Sequence, residues 1–324
     1  MKTPFPTLLF SCALQVLCMA QTYTIKNVSV LSFADTVGFV SGQTVVVKNG
    51  RISSITDYDA NARLIGRIID GAGHFLIPGM IDCYTHVHEK SLMLDLANGV
   101  TTVVNAIGEP YQLQLKLKVD AGQILGPRIY CVGSPIASSP PIYHSQGFFS
   151  SGEGAKLAVW ETKRLGYDAV FAYVNVNAEV YKRVLTEAAN ARLPVFGHTP
   201  FRVDFDDRFQ PGQLSHNNLV GLLDIRTGQT FPRHQLEAIA AKLTENKTFV
   251  VPTLTIHKVR SLAHKSDSLK VSPLLAYELP RQRAYWHLQS TNYSYAGAKE
   301  ITKIFHEAGV KLLIGTDGGF HFVP

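Results

Sequence analysis

The chain has 324 residues, of which 46% are hydrophobic and 17% are charged. This composition excludes an intrinsically disordered chain, a collagen-like repeat and a small scaffold held by disulfides. The 31 Lys and Arg residues outnumber the 25 Asp and Glu residues, for a formal net charge of +6, but they are scattered singly. Without a basic cluster no nucleic-acid partner is predicted, and the length allows two domains or one α/β barrel with attachments.

The first 20 residues have the pattern of a secretory signal peptide. Lys2 precedes an apolar stretch from Leu8 to Met19, and the small Ala20 follows it. This stretch is too short for an easy transmembrane span, and no later segment reaches the roughly 18 apolar residues that a span needs. The alternatives are a lipoprotein acylated at Cys12 and a buried N-terminal strand or helix. We predict a secreted or periplasmic protein with no transmembrane span.

Residues 21–72 alternate between apolar and polar in the manner of β-strands. Two runs, TYTIKNVSVLSF and QTVVVKNGRISSITDY, show this two-residue period. Asn49-Gly50, inside the second run, is a typical two-residue hairpin turn. We predict a small N-terminal β-sandwich unit over this range.

From residue 73 onward, apolar β-rich runs alternate with longer helical patterns. Parallel strands that are buried on both faces read as continuous apolar runs, and the helices between them cover the outer face of the sheet. Eight strands fit a (β/α)8 barrel, so we predict an α/β fold of this type over 73–324, with one helix near 233–245 and a long helical region over 258–308. The strand candidates are HFLIPGMIDCYTH, VTTVVNAIG, PRIYCVGSP, YDAVFAYV, LPVFGH, GQLSHNN, TFVVPTLTI and VKLLIGTD.

Four of these strands end in polar residues that suit catalysis. They are His86 after the first strand, His198 after the fifth, His216 after the sixth and Asp317 after the eighth. Barrel enzymes place their chemistry at the carboxyl ends of the strands, so these four side chains are predicted to meet. Because the chain continues for only seven residues beyond Asp317, we expect the barrel to lack its eighth helix.

Seven sequence pieces follow one another in a recognisable order: IPGMID…HVH, LANGVTTV, GPRIY, VFGH, SH, VPTL and IGTDGG. In this order, and at these strand ends, they resemble the amidohydrolase superfamily, in particular its imidazolonepropionase-like and prolidase-like members. The resemblance runs from residue 22 to the end of the chain. It implies a barrel with a catalytic metal at its mouth, and it implies that this chain stops before the strands that return to the small β unit.

The resemblance also implies a reaction. One divalent metal is expected, with Zn²⁺ as the first choice because imidazoles and a carboxylate suit it. The metal would lower the pKa of a bound water, and Asp317 would take that water's proton and pass it to the leaving nitrogen. The implied substrate is a small molecule with a C–N bond to hydrolyse: an amide, a cyclic amide or a dipeptide-like compound. The candidate metal ligands are His86, His88, His198, His216 and Asp317.

The chain departs from the superfamily pattern on strands one and four. Tyr84 occupies the position of the pattern's first histidine, and the pair His86 and His88 is displaced by two residues, or about 6.6 Å along a strand. Strand alternation predicts that all three side chains point inward, with Tyr84 in reach of substrate. Phe171 occupies the position of the lysine that bridges two metals in other members, so a two-metal site is not expected.

Residues 134–147 are rich in proline and serine, which predicts a loop over the barrel mouth or an irregular crossover. His144 in this segment is a candidate substrate contact. Two functions stay open for the chain: an exported metal-dependent amidohydrolase, and an inactive or truncated relative with a degraded metal site. A homo-oligomer is possible for both.

Overall fold

The computed structural model describes residues 22–34, 37–139, 147–224, 229–263 and 294–319. The predicted leader at 1–20 and the candidate His144 lie outside these residues. The chain divides into two compact units between Pro78 and Gly79. Among the described helices, none has the length and apolar character that a bilayer crossing requires.

The N-terminal unit is one five-stranded mixed sheet. Its strands are β1 (Thr22–Ser32), β2 (Gly38–Lys48), β3 (Arg51–Asp57), β4 (Arg67–Asp70) and β5 (Phe75–Leu76). The order is β3-β2-β1-β4, with β5 also beside β1; β2 runs antiparallel to β1 and β3, while β4 and β5 run parallel to β1. Asn49 and Gly50 join β2 to β3 with φ angles of 52° and 71°, which confirms the predicted hairpin turn.

The second unit is the predicted barrel of parallel strands. They are β6 (Met80–Thr85), β7 (Val100–Asn105), β8 (Arg128–Ala137), β10 (Ala169–Ala172), β11 (Val195–Gly197), β12 (Gln213–Asn217) and β13 (Phe249–Val251), with the short β9 (Gly147–Phe148) beside β8. Each strand pairs in parallel with the next around the barrel, in the order β13-β12-β11-β10-β8-β7-β6. This arrangement confirms the α/β barrel class.

The predicted eighth strand is an extended segment that closes the barrel between β13 and β6. The N–H of Leu313 donates to the Val250 carbonyl at 2.9 Å, and the N–H of Cys83 donates to the Ile314 carbonyl at 2.8 Å. A Cβ atom on Gly315 would lie 2.5 Å from the side chain of Val251. Only glycine therefore lets the segment pass this close to β13.

Seven helices are described around the strands. They are α1 (Leu92–Ala97), α2 (Pro110–Asp120), α3 (Gly152–Leu165), α4 (Ala178–Ala191), α5 (Arg233–Glu245), α6 (Leu254–Ala263) and α7 (Tyr295–Glu307). The side chains of Ser151, Asn177 and Ser294 each accept a backbone N–H three residues further on, which fixes where α3, α4 and α7 begin. The predicted strand TFVVPTLTI ends at Val251, because Pro252 has no N–H for the ladder, and its last residues belong to α6.

Side chains of the barrel strands alternate between an inner and an outer layer. The outer layer packs Val170 and Ala172 against α3 and α4, and Val250 against α5 and α7. The inner layer, called the lumen cluster below, is drawn from strands and the turns that follow them: Tyr84, Ala106, Val132, Ala137, Ala169, Phe171, Tyr173 and Val251. This alternation decides which residues of each strand can reach a site inside the barrel.

Candidate active site

The carboxylate of Asp317 lies between an imidazole and an amide, just after the extended segment (residues 312–316) that closes the barrel. Asp317 has a left-handed backbone with φ of 56°, and its N–H donates to the Tyr84 carbonyl at 2.8 Å. One carboxylate oxygen lies 3.0 Å from Nε2 of His86, and the other accepts from Nδ2 of Asn218 at 2.6 Å. The Asn218 amide is itself fixed, because its Oδ1 accepts from the hydroxyl of Thr253 at 3.0 Å. The two predicted residues Asp317 and His86 are thus in direct contact.

Asp82 of β6 links the closing segment to the strand that His86 follows. Its carboxylate accepts the N–H of Tyr84 and the N–H of Thr316, each at 3.1 Å, and the hydroxyl of Thr316 at 2.5 Å. Burial raises the pKa of Asp82, and the hydrogen bond from Thr316 opposes that rise. Gly319 follows in the left-handed region, where a Cβ atom would lie 2.2 Å from the His86 carbonyl oxygen. These contacts fix the backbone on both sides of Asp317.

His198 lies in the lumen among aromatic side chains. Its Nε2 is 3.1 Å from the hydroxyl of Tyr84, and its ring lies 5.3 Å from Phe171 and 5.2 Å from Tyr173. Burial lowers its pKa to about 4, so the ring is neutral at pH 7. Nδ1 of His198 is buried and has no hydrogen-bond partner among the described residues. Tyr84, predicted to contact substrate, is buried and contacts His198 through its hydroxyl.

His216, predicted to share the site, faces the helical layer. In the register of β12 and β13 it pairs with Val250, which packs against α5 and α7. Its ring lies 5.4 Å from Phe209 of the same outer layer, and its Nδ1 is 3.0 Å from the Thr199 hydroxyl and 3.3 Å from Nε2 of Gln213. Burial lowers its pKa to about 3. His216 is therefore a neutral packing residue outside the lumen.

His88 does not join His86 and Asp317 as a group of three metal ligands among the described residues. Because β6 ends at Thr85, strand alternation stops before His88, whose side chain is exposed and whose backbone N–H donates to the Ser91 hydroxyl at 3.4 Å. The structure thus brings together His86 and Asp317, places His198 against Tyr84, and leaves His88 and His216 outside.

The side chains at the barrel mouth do not fit the implied metal centre. Within the described part of the chain, no three His, Cys, Asp or Glu side chains come together as metal ligands. Nε2 of His86 faces the Asp317 carboxylate and Nε2 of His198 faces the hydroxyl of Tyr84, so neither of these ring nitrogens is available to a metal. A catalytic zinc needs three protein ligands around an open position. The donor set of the described residues does not supply them.

Three buried residues near the site, two asparagines and one histidine, belong to none of the motifs found in the sequence. Asn217 and Asn218 follow His216 directly, and His257 of α6 lies 3.3 Å from the Asn218 carbonyl oxygen. Burial lowers the pKa of His257 to about 4. The one signal in the sequence is the pair of asparagines at the carboxyl end of a predicted strand, where polar side chains reach the mouth of a barrel.

Comparisons with known proteins give short sequence matches. No protein-family model matches the chain. An adenine deaminase from Moorella thermoacetica is 27% identical over 177 residues, which cover 50% of this chain and 29% of the deaminase. An imidazolonepropionase from Idiomarina loihiensis is 35% identical over 66 residues, which cover 19% of this chain and 16% of that enzyme. The matches thus span less than a third of the length of these curated relatives.

Solved structures match over nearly the whole chain. A bottromycin amidohydrolase has a TM-score of 0.70 at 21% identity, over 93% of this chain and 70% of that one. A Xaa-Pro dipeptidase has a TM-score of 0.68 at 16% identity, over 93% and 80%. The ochratoxinase of A. niger has a TM-score of 0.64 at 15% identity, over 92% and 76%. The solved structures share the barrel fold of this chain, and the short sequence matches agree with the resemblance to the amidohydrolase superfamily that the sequence motifs indicate.

Proposed function

We propose that the chain hydrolyses a C–N bond in a small molecule, either an amide, a cyclic amide or a dipeptide-like compound. The observation that carries this proposal is the Asp317 carboxylate, held at 3.0 Å from His86 and 2.6 Å from Asn218 at the barrel mouth. Carbon–nitrogen hydrolysis needs one group that takes a proton from water and returns it to nitrogen. A buried, doubly held carboxylate beside an imidazole can perform both transfers.

The reaction follows from these contacts. The oxygen of a water attacks the carbonyl carbon of the substrate while Asp317 takes one of the water's protons. His86 and Asn218 keep the carboxylate oriented during this transfer, since each holds one of its oxygens. The carboxyl proton then moves to the leaving nitrogen as the C–N bond breaks, which yields a carboxylic acid and an amine. No step of this reaction uses the divalent metal that the resemblance implies, because the donor set of the described residues does not fit it.

The test is hydrolysis by the purified full chain. A primary amide, a lactam and an Xaa-Pro dipeptide are incubated in water enriched in ¹⁸O, and the products are examined by mass spectrometry for one ¹⁸O in the new carboxylate. The variant Asp317→Asn is expected to form the product at least about 100-fold more slowly, whereas Asp206→Asn, at an exposed carboxylate that pairs with Lys242, is expected to keep the wild-type rate. Equal rates for the two variants would assign the activity to another group or to a contaminant.

A second candidate function is favoured by Tyr84. Its hydroxyl is hydrogen-bonded to Nε2 of His198, and Phe171 packs in the lumen beside both rings. These contacts suit a non-catalytic relative that keeps the fold and binds a ligand without cleaving it. Binding of a small amide with no ¹⁸O product over prolonged incubation would support this alternative and contradict the hydrolase.

A further inference from the structure

Three polar side chains inside the barrel have buried atoms for which the described residues provide no hydrogen-bond partner. Asn217 is 1% exposed, and neither its Oδ1 nor its Nδ2 has a partner among the residues that the structure describes. The same holds for the hydroxyl of Ser215, which is 0% exposed, and for Nδ1 of His198. Folded proteins rarely leave such atoms unsatisfied, because each loses its hydrogen bonds to water on burial. Four such atoms on neighbouring strands call for an occupant.

The strand register places these atoms on one surface. Ser215 pairs with Phe196 of β11, and Asn217 pairs with Val251 of β13. Phe196 and Val251 pack in the lumen cluster, and paired residues of parallel strands share a face. Ser215 and Asn217 therefore point into the lumen, on the strand next to the one that His198 follows.

The chemistry of this surface selects its ligand. Asn217 offers one donor and one acceptor side by side on a planar amide, and neither it nor Ser215 carries a charge. The rings of Phe171, Tyr173 and His198, with centroids 5.2 to 6.3 Å apart and planes inclined by 40° to 83°, form an aromatic group in the lumen. A flat, neutral group with an acceptor next to a donor complements both features.

We infer that Asn217 binds the amide group of the substrate, with Nδ2 donating to its carbonyl oxygen and Oδ1 accepting its N–H. This inference rests on the proposed function and narrows its substrate class. In a cis amide, such as a lactam, the carbonyl oxygen and the N–H lie on the same edge and can both pair with one carboxamide. In a trans amide they point in opposite directions, so only one of the two bonds can form. Asn217 thus selects cyclic or primary amides over trans secondary amides.

The experiment compares three neutral probes of similar size on the full chain. 2-Pyrrolidinone is a cis amide with an N–H, N-methyl-2-pyrrolidinone lacks the N–H, and N-methylacetamide is a trans amide. Binding is followed by NMR of the protein labelled with ¹⁵N in its asparagine side chains. The lactam is expected to bind at least about tenfold more tightly than either analogue, since each lost hydrogen bond weakens binding by roughly this factor. Its binding is also expected to shift the Asn217 NH₂ resonance.

Asn217→Leu separates recognition from folding. Because Asn217 makes no described hydrogen bond, this variant is expected to melt at or above the wild-type temperature while losing lactam binding at least tenfold. Asn105→Leu is the matched control, because Asn105 is equally buried but bonds to the Ile107 carbonyl and the Val87 N–H. It is expected to lower the melting temperature clearly. If a variant does not fold, the shift of the Asn217 NH₂ resonance in the wild-type protein still tests the inference.

The outcomes distinguish this inference from the proposed function. Preferential lactam binding through Asn217 without hydrolysis of any amide would uphold the inference and overturn the hydrolase. Hydrolysis with equal affinity for the three probes, and with Asn217→Leu unchanged, would uphold the hydrolase and overturn the inference. An Asn217 resonance that no probe shifts would show that only water occupies the lumen, which also overturns it.

Discussion

Replacement of His216 tests whether this residue packs against the outer helices or binds a ligand in the active site. The sequence pattern predicts a metal ligand at this position, whereas the register of β12 turns the ring toward Phe209 and the helices. A packing residue and a ligand respond differently to truncation. We therefore expect His216→Ala to lower the free energy of unfolding and to leave metal content unchanged.

The magnitude follows from what the ring contacts. His216 is 2% exposed, and its Nδ1 has two neighbours, the hydroxyl of Thr199 and Nε2 of Gln213. Loss of these hydrogen bonds costs about 1 kcal/mol each, and the cavity beside Phe209 adds about 2–3 kcal/mol. The total of about 4–5 kcal/mol corresponds to a fall in melting temperature of about 8–20 °C for a domain of this size.

Thermal unfolding followed by circular dichroism measures this shift, with metal content measured after equilibration with Zn²⁺. His306→Ala is the matched control, because His306 is exposed on α7 and its loss is expected to change stability by less than about 0.5 kcal/mol. A His216→Ala protein that melts with the wild type but loses bound Zn²⁺ or hydrolysis would refute the outward orientation. The register of β12 would then be wrong by one residue.

Three further predictions concern the lumen and its pH dependence. Asp317→Asn is expected to lower kcat/KM by about 10²- to 10⁴-fold with little change in melting temperature, and initial rates against an active substrate would show it. Tyr84→His adds an imidazole next to His86 and His198 and is expected to raise bound Zn²⁺ toward one per chain; unchanged occupancy by elemental analysis would contradict this. His198 and His216 have pKa values of about 4 and 3 in the folded state, below the value of about 6.5 in the unfolded state. At a pH between these values the unfolded state therefore binds more protons than the folded state. Stability should therefore fall as pH drops below about 6.5, by about 1 kcal/mol per pH unit for each histidine, and a urea midpoint constant from pH 7 to pH 5 would disprove it.

The barrel could be predicted from the sequence because its signals are local. Strands buried on both faces give continuous apolar runs such as AVFA in β10, and the helix predicted near 233–245 matches α5. Glycines and asparagines mark turns through their backbone, as Asn49-Gly50 does between β2 and β3. The closing segment was also predictable as an apolar run, although its pairing with β6 depends on contacts more than 200 residues apart in sequence.

The direction of a side chain at a strand end was less predictable, because one extra residue inverts the faces. Val195 pairs with Gln213 while Phe196 pairs with Ser215, so Leu214 is an extra residue in β12. This bulge sets which of His216 and Asn217 faces the lumen, and no sequence motif marks it. The predicted direction of His88 depends on the same alternation, which holds only while the strand continues, and β6 ends at Thr85.

Tyr84 also determines what His198 presents to the lumen. At neutral pH the ring of His198 is uncharged and carries one proton, on either Nδ1 or Nε2. If the Tyr84 hydroxyl donates to Nε2, the proton lies on Nδ1, which is then a hydrogen-bond donor and cannot bind a metal. If Nε2 donates to Tyr84 instead, Nδ1 is an acceptor. In both cases Nε2 faces the Tyr84 hydroxyl, so the tyrosine keeps this nitrogen of His198 in a hydrogen bond and away from a metal.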